Sequence, residues 1–223
     1  MFRHLPPGPT GEVAREAQVM TSRGTSSGRD SLLTAAGRVL RERGVQGLRV
    51  REVAAAAGMS PAAVIYHYKT TNDLLFAVHE AAVGEYTKLR TAAARAEKAS
   101  PTARLLACFK VGVPPYTDSA LIELLYEMHG LTRRSPRHAI LLTDLWHTEL
   151  ALYEEIVADG ISQRVFDPDD PAAAARALLA LEDGLVLHSV SDNEFMTSSL
   201  VLTTFANVAA QLLKCPALSL RSR

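Results

Sequence analysis

The sequence predicts an all-α protein built from a short three-helix head and a larger helical domain. Apolar residues recur every three to four positions over most of the 223 residues, which is the spacing of helices with one buried face. Stretches rich in Gly, Pro and Ser divide this pattern into separate helices. No stretch alternates apolar and polar residues as a half-buried strand does, so we expect no sheet.

Residues 50–68 read as two short helices joined by a tight turn. Gly58 stands where the first helix needs a residue that accepts left-handed backbone, and Ser60 and Pro61 supply an N-cap oxygen and a first-turn proline for the second. A preceding helix over residues 30–44 completes a three-helix unit. This is the pattern of a DNA-binding helix-turn-helix. The first helix of the pair has its buried stripe at Val50, Val53, Ala54 and Ala57.

Charge is distributed unevenly, although the formal net charge is +0. Residues 21–70 hold eight basic and three acidic residues, about +5, whereas residues 151–200 hold two basic and ten acidic residues, about −8. The basic segment suits a phosphate backbone, and the acidic segment repels one. We therefore predict that residues 29–75 form the DNA-binding domain. Residues 1–28 are predicted to be a disordered arm, with phosphate contacts from Arg23 and Arg29 as the alternative.

Residues 76–223 form the predicted second domain, which a long helix from Thr70 or Thr71 joins to the head. Helical spacing continues through five further segments. The last two are apolar around much of their circumference, which predicts that they pack against a second copy of the chain; burial within one chain is the alternative. The five segments are residues 101–112, 118–131, 136–163, 171–190 and 194–214.

The sequence lacks the motifs of common enzyme classes. It contains no G-x-S-x-G, no glycine-rich phosphate loop and no H-E-x-x-H, and Cys108 and Cys215 form no recognisable pair. No catalytic residue, cofactor or metal site is therefore predicted. The lack of a signal segment and of an apolar run of about 20 residues predicts a soluble, cytoplasmic protein with no membrane partner.

Aromatic, acidic and histidine side chains gather on the predicted middle helices and on the helix over residues 171–190, and they are candidates for a small-molecule pocket. Acids interleaved with aromatic residues favour a cationic or hydroxylated ligand. Core packing is the alternative for each aromatic residue, and a surface position for each histidine. Met128, Tyr153 and Asp183 belong to this group. Its principal members are Phe109, Tyr116, Glu123, Tyr126, Glu127, Trp146, His147, Glu182 and His188.

Residues 29–75, RDSLLTAAGRVLRERGVQGLRVREVAAAAGMSPAAVIYHYKTTNDLL, resemble the N-terminal domain of the tetracycline-repressor (TetR) family of bacterial transcription regulators. The most specific parts are Ala-Ala-Gly-Met-Ser, Tyr-His-Tyr and Asp-Leu-Leu. The phrase ALEDGL at residues 180–185 also resembles the penultimate helix of many members. The resemblance implies a homodimeric regulator, a repressor of a near-palindromic double-stranded DNA operator, whose second domain binds a small-molecule inducer and mediates dimerisation. Control by a protein partner and a helical enzyme are the alternatives.

The resemblance also implies which residues contact DNA. Thr71 stands where the family usually has a lysine, so Lys69 or Arg49 is expected to supply the missing phosphate contact. The second helix of the motif begins with Pro and two Ala, which favours apolar contacts with thymine methyl groups, and Arg51 is then the principal polar reader. The DNA-binding residues implied are Arg49, Arg51, Ser60, Pro61, Ala62, Ala63, Ile65, Tyr66, His67, Lys69 and Thr71.

Overall fold

The computed structural model describes residues 11–96, 98–191 and 193–220, with side chains from residue 28 onward. Within these ranges the regular structure is nine α-helices and one short 3-10 helix, with no strand. The predicted all-α class is therefore confirmed. The chain divides into two compact units, Met1–Leu75 and Phe76–Arg223.

The first unit contains α1 (Gly11–Gly47), α2 (Val50–Ala57) and α3 (Pro61–His67), with α2 packed against both neighbours. Gly44 has φ 66° and ψ 179° and interrupts α1 near its end, a backbone that glycine adopts without a steric penalty. Gly58 ends α2 in left-handed geometry with φ 65°, as the sequence predicts. The core of the unit is Leu32, Ala36, Val39, Leu40, Val53, Ala54 and Val64.

Helix α1 begins earlier than expected. Residues 11–28 are helical in the structure, where the sequence analysis expected a disordered arm over residues 1–28; residues 1–10 lie outside the described residues. Extending an existing helix adds one hydrogen bond for each residue and avoids the cost of nucleation. Residues 14–18, Ala-Arg-Glu-Ala-Gln, are also good helix formers. The functional roles assigned to the two domains stay predictions.

After the first three helices the chain forms α4 (Thr71–Ala94), α5 (Pro101–Val111), α6 (Ser119–His129), α7 (Pro136–Ser162), α8 (Pro171–Ser189) and α9 (Ser198–Leu212). In the second unit, α8 packs against α7 and α9, and α5 and α6 pack against α7. Among the described helices, none is long and apolar enough to cross a bilayer. Helix α9 begins four residues later than predicted because the Thr197 side chain accepts a hydrogen bond from the Leu200 backbone N–H at 3.3 Å.

The core of the second unit contains ionisable groups as well as apolar ones. Phe109 and Phe205 stack with ring centroids 3.8 Å apart. His79 and His138 are both buried, and their Nδ1 atoms lie 2.7 Å apart. One of these nitrogens must donate and the other accept, so the two rings share one proton across this contact. Arg90 is fully buried with 0% exposure.

Candidate functional site

The outer face of α3 is the first candidate site. The Ser60 side chain caps the helix by accepting a hydrogen bond from the Ala63 backbone N–H at 3.2 Å. Val64 is fully buried, whereas Ile65 and Tyr66 are 54% and 77% exposed. A helix anchored by one apolar side chain therefore presents two large side chains outward, next to the exposed Pro61 and Ala62.

Basic residues lie on the same unit near this helix. Arg49 and Arg51 are exposed, as is Lys69. Arg49 is the N-cap residue of α2, and its side chain makes no capping hydrogen bond. The other residues with a predicted DNA contact, Ala63, His67 and Thr71, are partly exposed.

Tyr68, from the Tyr-His-Tyr phrase, and Arg29, from the basic segment, have structural roles within the first unit. Tyr68 is buried, with 4% exposure. The Arg29 Nε donates a hydrogen bond to the Tyr68 hydroxyl at 3.2 Å, and the guanidinium lies 5.6 Å from the centre of that ring. Arg29 therefore stabilises the packing of α1 against the end of α3.

The second candidate site is a cavity of about 40 Å³ in the second unit. Its polar wall consists of two carboxylates, from Glu149 on α7 and Asp183 on α8. Tyr126 also donates a hydrogen bond to the Asp183 backbone carbonyl at 3.4 Å. Two tyrosines and a histidine therefore line the same small space as two acidic residues. The lining residues are Tyr86, Ile122, Leu125, Tyr126, His129, Leu142, Leu145, Glu149 and Asp183.

Arg90 lies next to these acids and connects three helices. Its Nη1 donates to the Glu182 carboxylate and, at 3.1 Å, to the Cys108 carbonyl. Its Nη2 is 3.6 Å from the Glu149 Oε1. The Tyr153 hydroxyl donates to the second Glu182 oxygen at 2.6 Å. Arg90 itself, a described residue, does not line the cavity.

Three acids lie near the single guanidinium of Arg90, and the pKa values of Glu149 and Asp183 are raised. Burial raises the pKa of Glu149 from 4.5 to about 7; Arg90 opposes the rise, and Glu182 and Asp183 add to it. Burial also raises the pKa of Asp183, to about 6, with Glu182 adding to the rise and Arg90 opposing it. Burial lowers the pKa of His129, so this ring is not a source of positive charge near neutral pH. The cavity wall therefore favours a ligand that brings positive charge.

Gly112 allows the end of α5 to approach this cluster. A methyl group at this position would overlap the Glu182 Oε1 and lie 3.0 Å from the Tyr86 hydroxyl. Glycine is therefore required here by close approach, because any side chain would displace the carboxylate that Arg90 binds.

The structure brings a minority of the predicted ligand residues to the cavity. Tyr126 lines it, and Glu182 lies behind it in the Arg90 cluster. Phe109 packs in the core against Phe205, and Tyr116 lies on the surface with the Lys110 ammonium 5.2 Å from its ring centre. Helical periodicity turns the remaining candidates to solvent, so their ligand contacts stay predictions: Glu123, Glu127, Trp146, His147 and His188.

Sequence reasoning missed Tyr86, Arg90, His129 and Glu149 as site residues. Glu149 follows the buried Leu145 by four positions, and the buried Leu152 follows it by three. It therefore occupies the apolar stripe of α7. An acid on an otherwise apolar stripe is a signal that the sequence contains, since charged residues are rarely buried unless they are paired.

Two family models match the chain. The one described as "Bacterial regulatory proteins, tetR family" matches residues 32–78, and the one described as "BetI-type transcriptional repressor, C-terminal" matches residues 101–214. A search of curated proteins found no significant match.

Solved structures share the fold. A putative transcriptional regulator from Saccharomonospora viridis in complex with choline is 21% identical, with a TM-score of 0.76, covering 83% of this chain and 96% of its own. A TetR transcription regulator from Haloarcula marismortui is 22% identical, with a TM-score of 0.72 and coverages of 85% and 97%. A bacterial regulatory protein of the tetR family from Rhodococcus is 26% identical, with a TM-score of 0.61 and coverages of 84% and 97%.

The family follows from the family models, because the second one alone covers more than half of the chain. The structural neighbours agree with it in fold, and the first unit has the helix-turn-helix that such a protein uses to bind DNA. The chain belongs to the tetR family of bacterial regulatory proteins, and it is a DNA-binding transcriptional regulator.

Proposed function

We propose that the protein is a repressor that binds a near-palindromic operator as a homodimer and is released from it by a small organic cation. The observation that carries the effector class is the cavity wall, where Glu149 and Asp183 face Tyr86 and Tyr126. Carboxylates supply the opposite charge, and tyrosine rings attract a cation through their faces.

DNA contact is proposed for the outer face of α3 and the basic residues beside it. The exposed Ile65 and Tyr66 suit contacts with thymine methyl groups and sugars, and Arg51 suits a guanine edge in the major groove. Arg49 and Lys69 suit phosphates, which position the helix without selecting a sequence.

Dimerisation is proposed through the outward faces of α8 and α9. Leu187 and Leu200 are 49% and 43% exposed, and Ala177, Ala180 and Gly184 are exposed on the same helix as Leu187. Small residues beside exposed leucines allow two helices to approach closely, and a two-fold dimer presents two copies of α3 to a near-palindromic site. Leu179 on the same helix is only 1% exposed and is already buried within one chain. A charged substitution there would therefore disturb the core of one chain and would not test the dimer.

A cationic effector is supported by the fold neighbour from Saccharomonospora viridis, which was crystallised with choline. In the present chain, three acids near one another, Glu149, Glu182 and Asp183, are opposed by Arg90. A bound cation would restore charge balance beside the buried Glu149 and Glu182. The cavity of about 40 Å³ must widen to admit choline, since a single water molecule needs about 10–15 Å³ of such space.

Ligand and DNA would be coupled through α4. This helix starts at Thr71 in the first unit and carries Tyr86 and Arg90 in the second. A ligand changes DNA affinity only if it binds one arrangement of the protein more tightly than another, and the effect is then reciprocal. A tenfold loss of DNA affinity corresponds to about 1.4 kcal/mol of coupling and to a ligand that binds tenfold more weakly on DNA.

Selection of bound genomic fragments followed by titration tests this proposal. An operator is first selected with the full chain, and its affinity is then measured with choline, and with 3,3-dimethylbutan-1-ol, a neutral molecule of the same shape. We expect choline to weaken DNA binding and the alcohol to have little effect. Release by neither compound, or by both equally, would contradict a cationic inducer.

Light scattering tests the dimer separately. We expect a mass of two chains for the wild type and a shift to one chain for Leu200→Asp, because the aspartate would be buried without a partner at the interface. The exposed Ile140 on α7 provides the matched control, Ile140→Asp. A wild-type mass of one chain, 24.1 kDa, would contradict the dimer.

A further inference from the structure

The guanidinium of Arg90 is unevenly bonded. Its Nη1 donates to Glu182 and to the Cys108 carbonyl, and it lies 3.5 Å from the Tyr86 hydroxyl. Its Nε and Nη2 are buried and have no hydrogen-bond partner. A buried donor without a partner is costly, so a structural ion pair with all donors used would be the more stable arrangement.

Glu149 and Glu182 bind this guanidinium differently. Glu182 accepts from Arg90 through one oxygen and from Tyr153 through the other, at 2.6 Å. Glu149 lies 3.6 Å from the Arg90 Nη2, within reach of an ion pair but beyond hydrogen-bond distance. Glu149 also lines the cavity, which Glu182 and Arg90, both described residues, do not. Glu149 is therefore the carboxylate that faces both the guanidinium and the ligand space.

We propose that Arg90 is an internal competitor of the effector, which holds the Glu149 carboxylate until an organic cation in the cavity takes it over. The proposal rests on the proposed function, since it requires that the cavity is the effector site. When Glu149 turns toward the cation, Nη2 loses its ion pair, and Nε and Nη2, which have no hydrogen-bond partner, can engage Glu182 side by side. This two-point geometry is the one that a guanidinium and a carboxylate prefer.

The competition explains how occupancy of a small cavity would act on α4. Arg90 is a residue of α4, whereas Glu149 belongs to α7 and Glu182 to α8. Exchange of one carboxylate for the other would change which of two helices holds α4. Arg90 is then a positioning and specificity-determining residue: it contacts no ligand, but its charge sets the affinity for a cation.

A buried arginine with unused donors would by itself suit an anionic effector, the opposite of the cation proposed here. The cavity lining argues against it, because Glu149 and Asp183 face the space and Arg90 does not. An anion entering this cavity would meet two carboxylates before any guanidinium.

Calorimetry with choline and with neutral 3,3-dimethylbutan-1-ol tests the competition on the full-length dimer. The comparison uses wild type, Arg90→Met and Arg90→Lys at about pH 8.5, where Glu149 favours its ionised form. We expect Arg90→Met to bind choline about tenfold more tightly than wild type, because a competing charge has been removed. Arg90→Lys keeps the charge and should stay close to wild type. The neutral alcohol should not distinguish the three proteins.

A merely structural Arg90 predicts the opposite result, since its loss would loosen the site and weaken choline and the alcohol together. Choline binding that is equal or weaker in Arg90→Met overturns the competition and leaves a cationic effector intact. Absence of choline binding in wild type and both variants overturns the effector class and the competition together. Binding that appears in Arg90→Met alone supports the competition, because the guanidinium then masks the site.

A measurement on the wild type covers the case in which Arg90→Met does not fold. The protein is labelled with ¹⁵N-arginine, and the Arg90 Nε–H signal is identified by its absence in Arg90→Lys. We expect saturating choline to shift this signal and to leave that of Arg29 in place, since the Arg29 Nε donates to the Tyr68 hydroxyl within the first unit. An unmoved Arg90 signal while calorimetry reports choline binding would overturn the proposal.

Discussion

The two units treat charge in opposite ways. Among the described residues, every buried polar or charged side chain belongs to the second unit: His79, Arg90, His138, Glu149, Glu182 and Thr203. The described core of the first unit is apolar apart from the Tyr68 hydroxyl, and the arginines from residue 28 onward in that unit lie on the surface. The first unit can therefore meet a charged partner at its surface without desolvating its core. The second unit buries charged groups whose hydrogen bonding is incomplete. A small ligand can change how these groups pair with one another.

Breaking one ion pair in each unit should give the largest contrast. Glu182→Leu removes the carboxylate from buried Arg90, which should lower the free energy of unfolding by about 3–5 kcal/mol, because a charge is left buried without its partner. In the first unit, Arg43 and Glu52 form an exposed pair at 2.6 Å with side chains 54% and 38% exposed. Glu52→Gln should cost about 0–1 kcal/mol.

Chemical denaturation followed by circular dichroism provides both values. Similar losses for the two variants would contradict the distinction between the units. Because the two units can unfold in separate steps, the transitions have to be assigned before the free energies are compared.

The protonation of Glu149 should give the next largest effect, a stability that falls as pH rises. Its pKa is raised from 4.5 to about 7 in the folded protein, so the folded state binds more protons between these values. The resulting contribution is complete below pH 4.5 and is lost through pH 7, a change of about 3 kcal/mol. Glu149→Gln should lose this contribution and keep the smaller one of the same sign from Asp183, whose pKa is raised to about 6.

Thermal or denaturant unfolding between about pH 4.5 and pH 8 measures the slope. The lowered pKa of His79, about 4, gives a slope of the opposite sign, with stability lost as pH falls from 6.5 toward 4. The difference between wild type and Glu149→Gln cancels that term. An identical pH profile in the two proteins would show that Glu149 ionises normally.

A smaller effect is expected from the exposed arginine of the first unit. Arg51→Ala should weaken binding to a selected operator by about 1–3 kcal/mol and relax the preference at one base pair of each half-site, the result of losing a base contact. Lys69→Ala should weaken selected and unselected DNA alike. Unfolding of both variants should resemble wild type, since both residues are exposed. Unchanged operator affinity in Arg51→Ala would mean that this residue does not contact a base.

Filling the cavity should give the smallest of these effects on DNA binding. Leu125 lines the cavity, and Leu125→Trp should mimic an occupied site and weaken operator binding without ligand by about tenfold, or 1.4 kcal/mol. It should also reduce choline affinity. Leu142→Trp enlarges a second lining residue and should act in the same direction. If both variants lost choline binding but kept full operator affinity, occupancy of the cavity would not control DNA binding.

The helix-turn-helix was predictable because its signals are local. The left-handed residue that ends α2 and the Ser60 cap of α3 follow from the chemistry of single residues and their immediate neighbours. The start of α1 was not predictable in this way, since residues 24–28 contain two glycines and two serines within a helix that the structure continues to Gly11.

The cavity was less predictable because it depends on the rotation of long helices. Helical spacing from the buried Tyr86 assigns Leu89 and Ala93 to the buried face of α4, but the structure buries Arg90 and Ala94 more completely. A hydrophobic pattern assigns an arginine to the surface, and only the carboxylates of α7 and α8 make its burial tolerable. Such a partnership between distant segments is invisible to a reading of one helix at a time.

The small volume of the cavity has a consequence for the speed of the response. If this space of about 40 Å³ is the effector site proposed above, it must widen before an organic cation the size of choline fits, and the association rate should then level off at high ligand concentration, at the rate of opening. A sensor of this kind would report effector changes on the microsecond-to-second timescale of helix movement, and would be insensitive to briefer fluctuations in concentration. Substitutions at Tyr126 or His129, which line the cavity, would then alter the lag before transcription changes more than its final level.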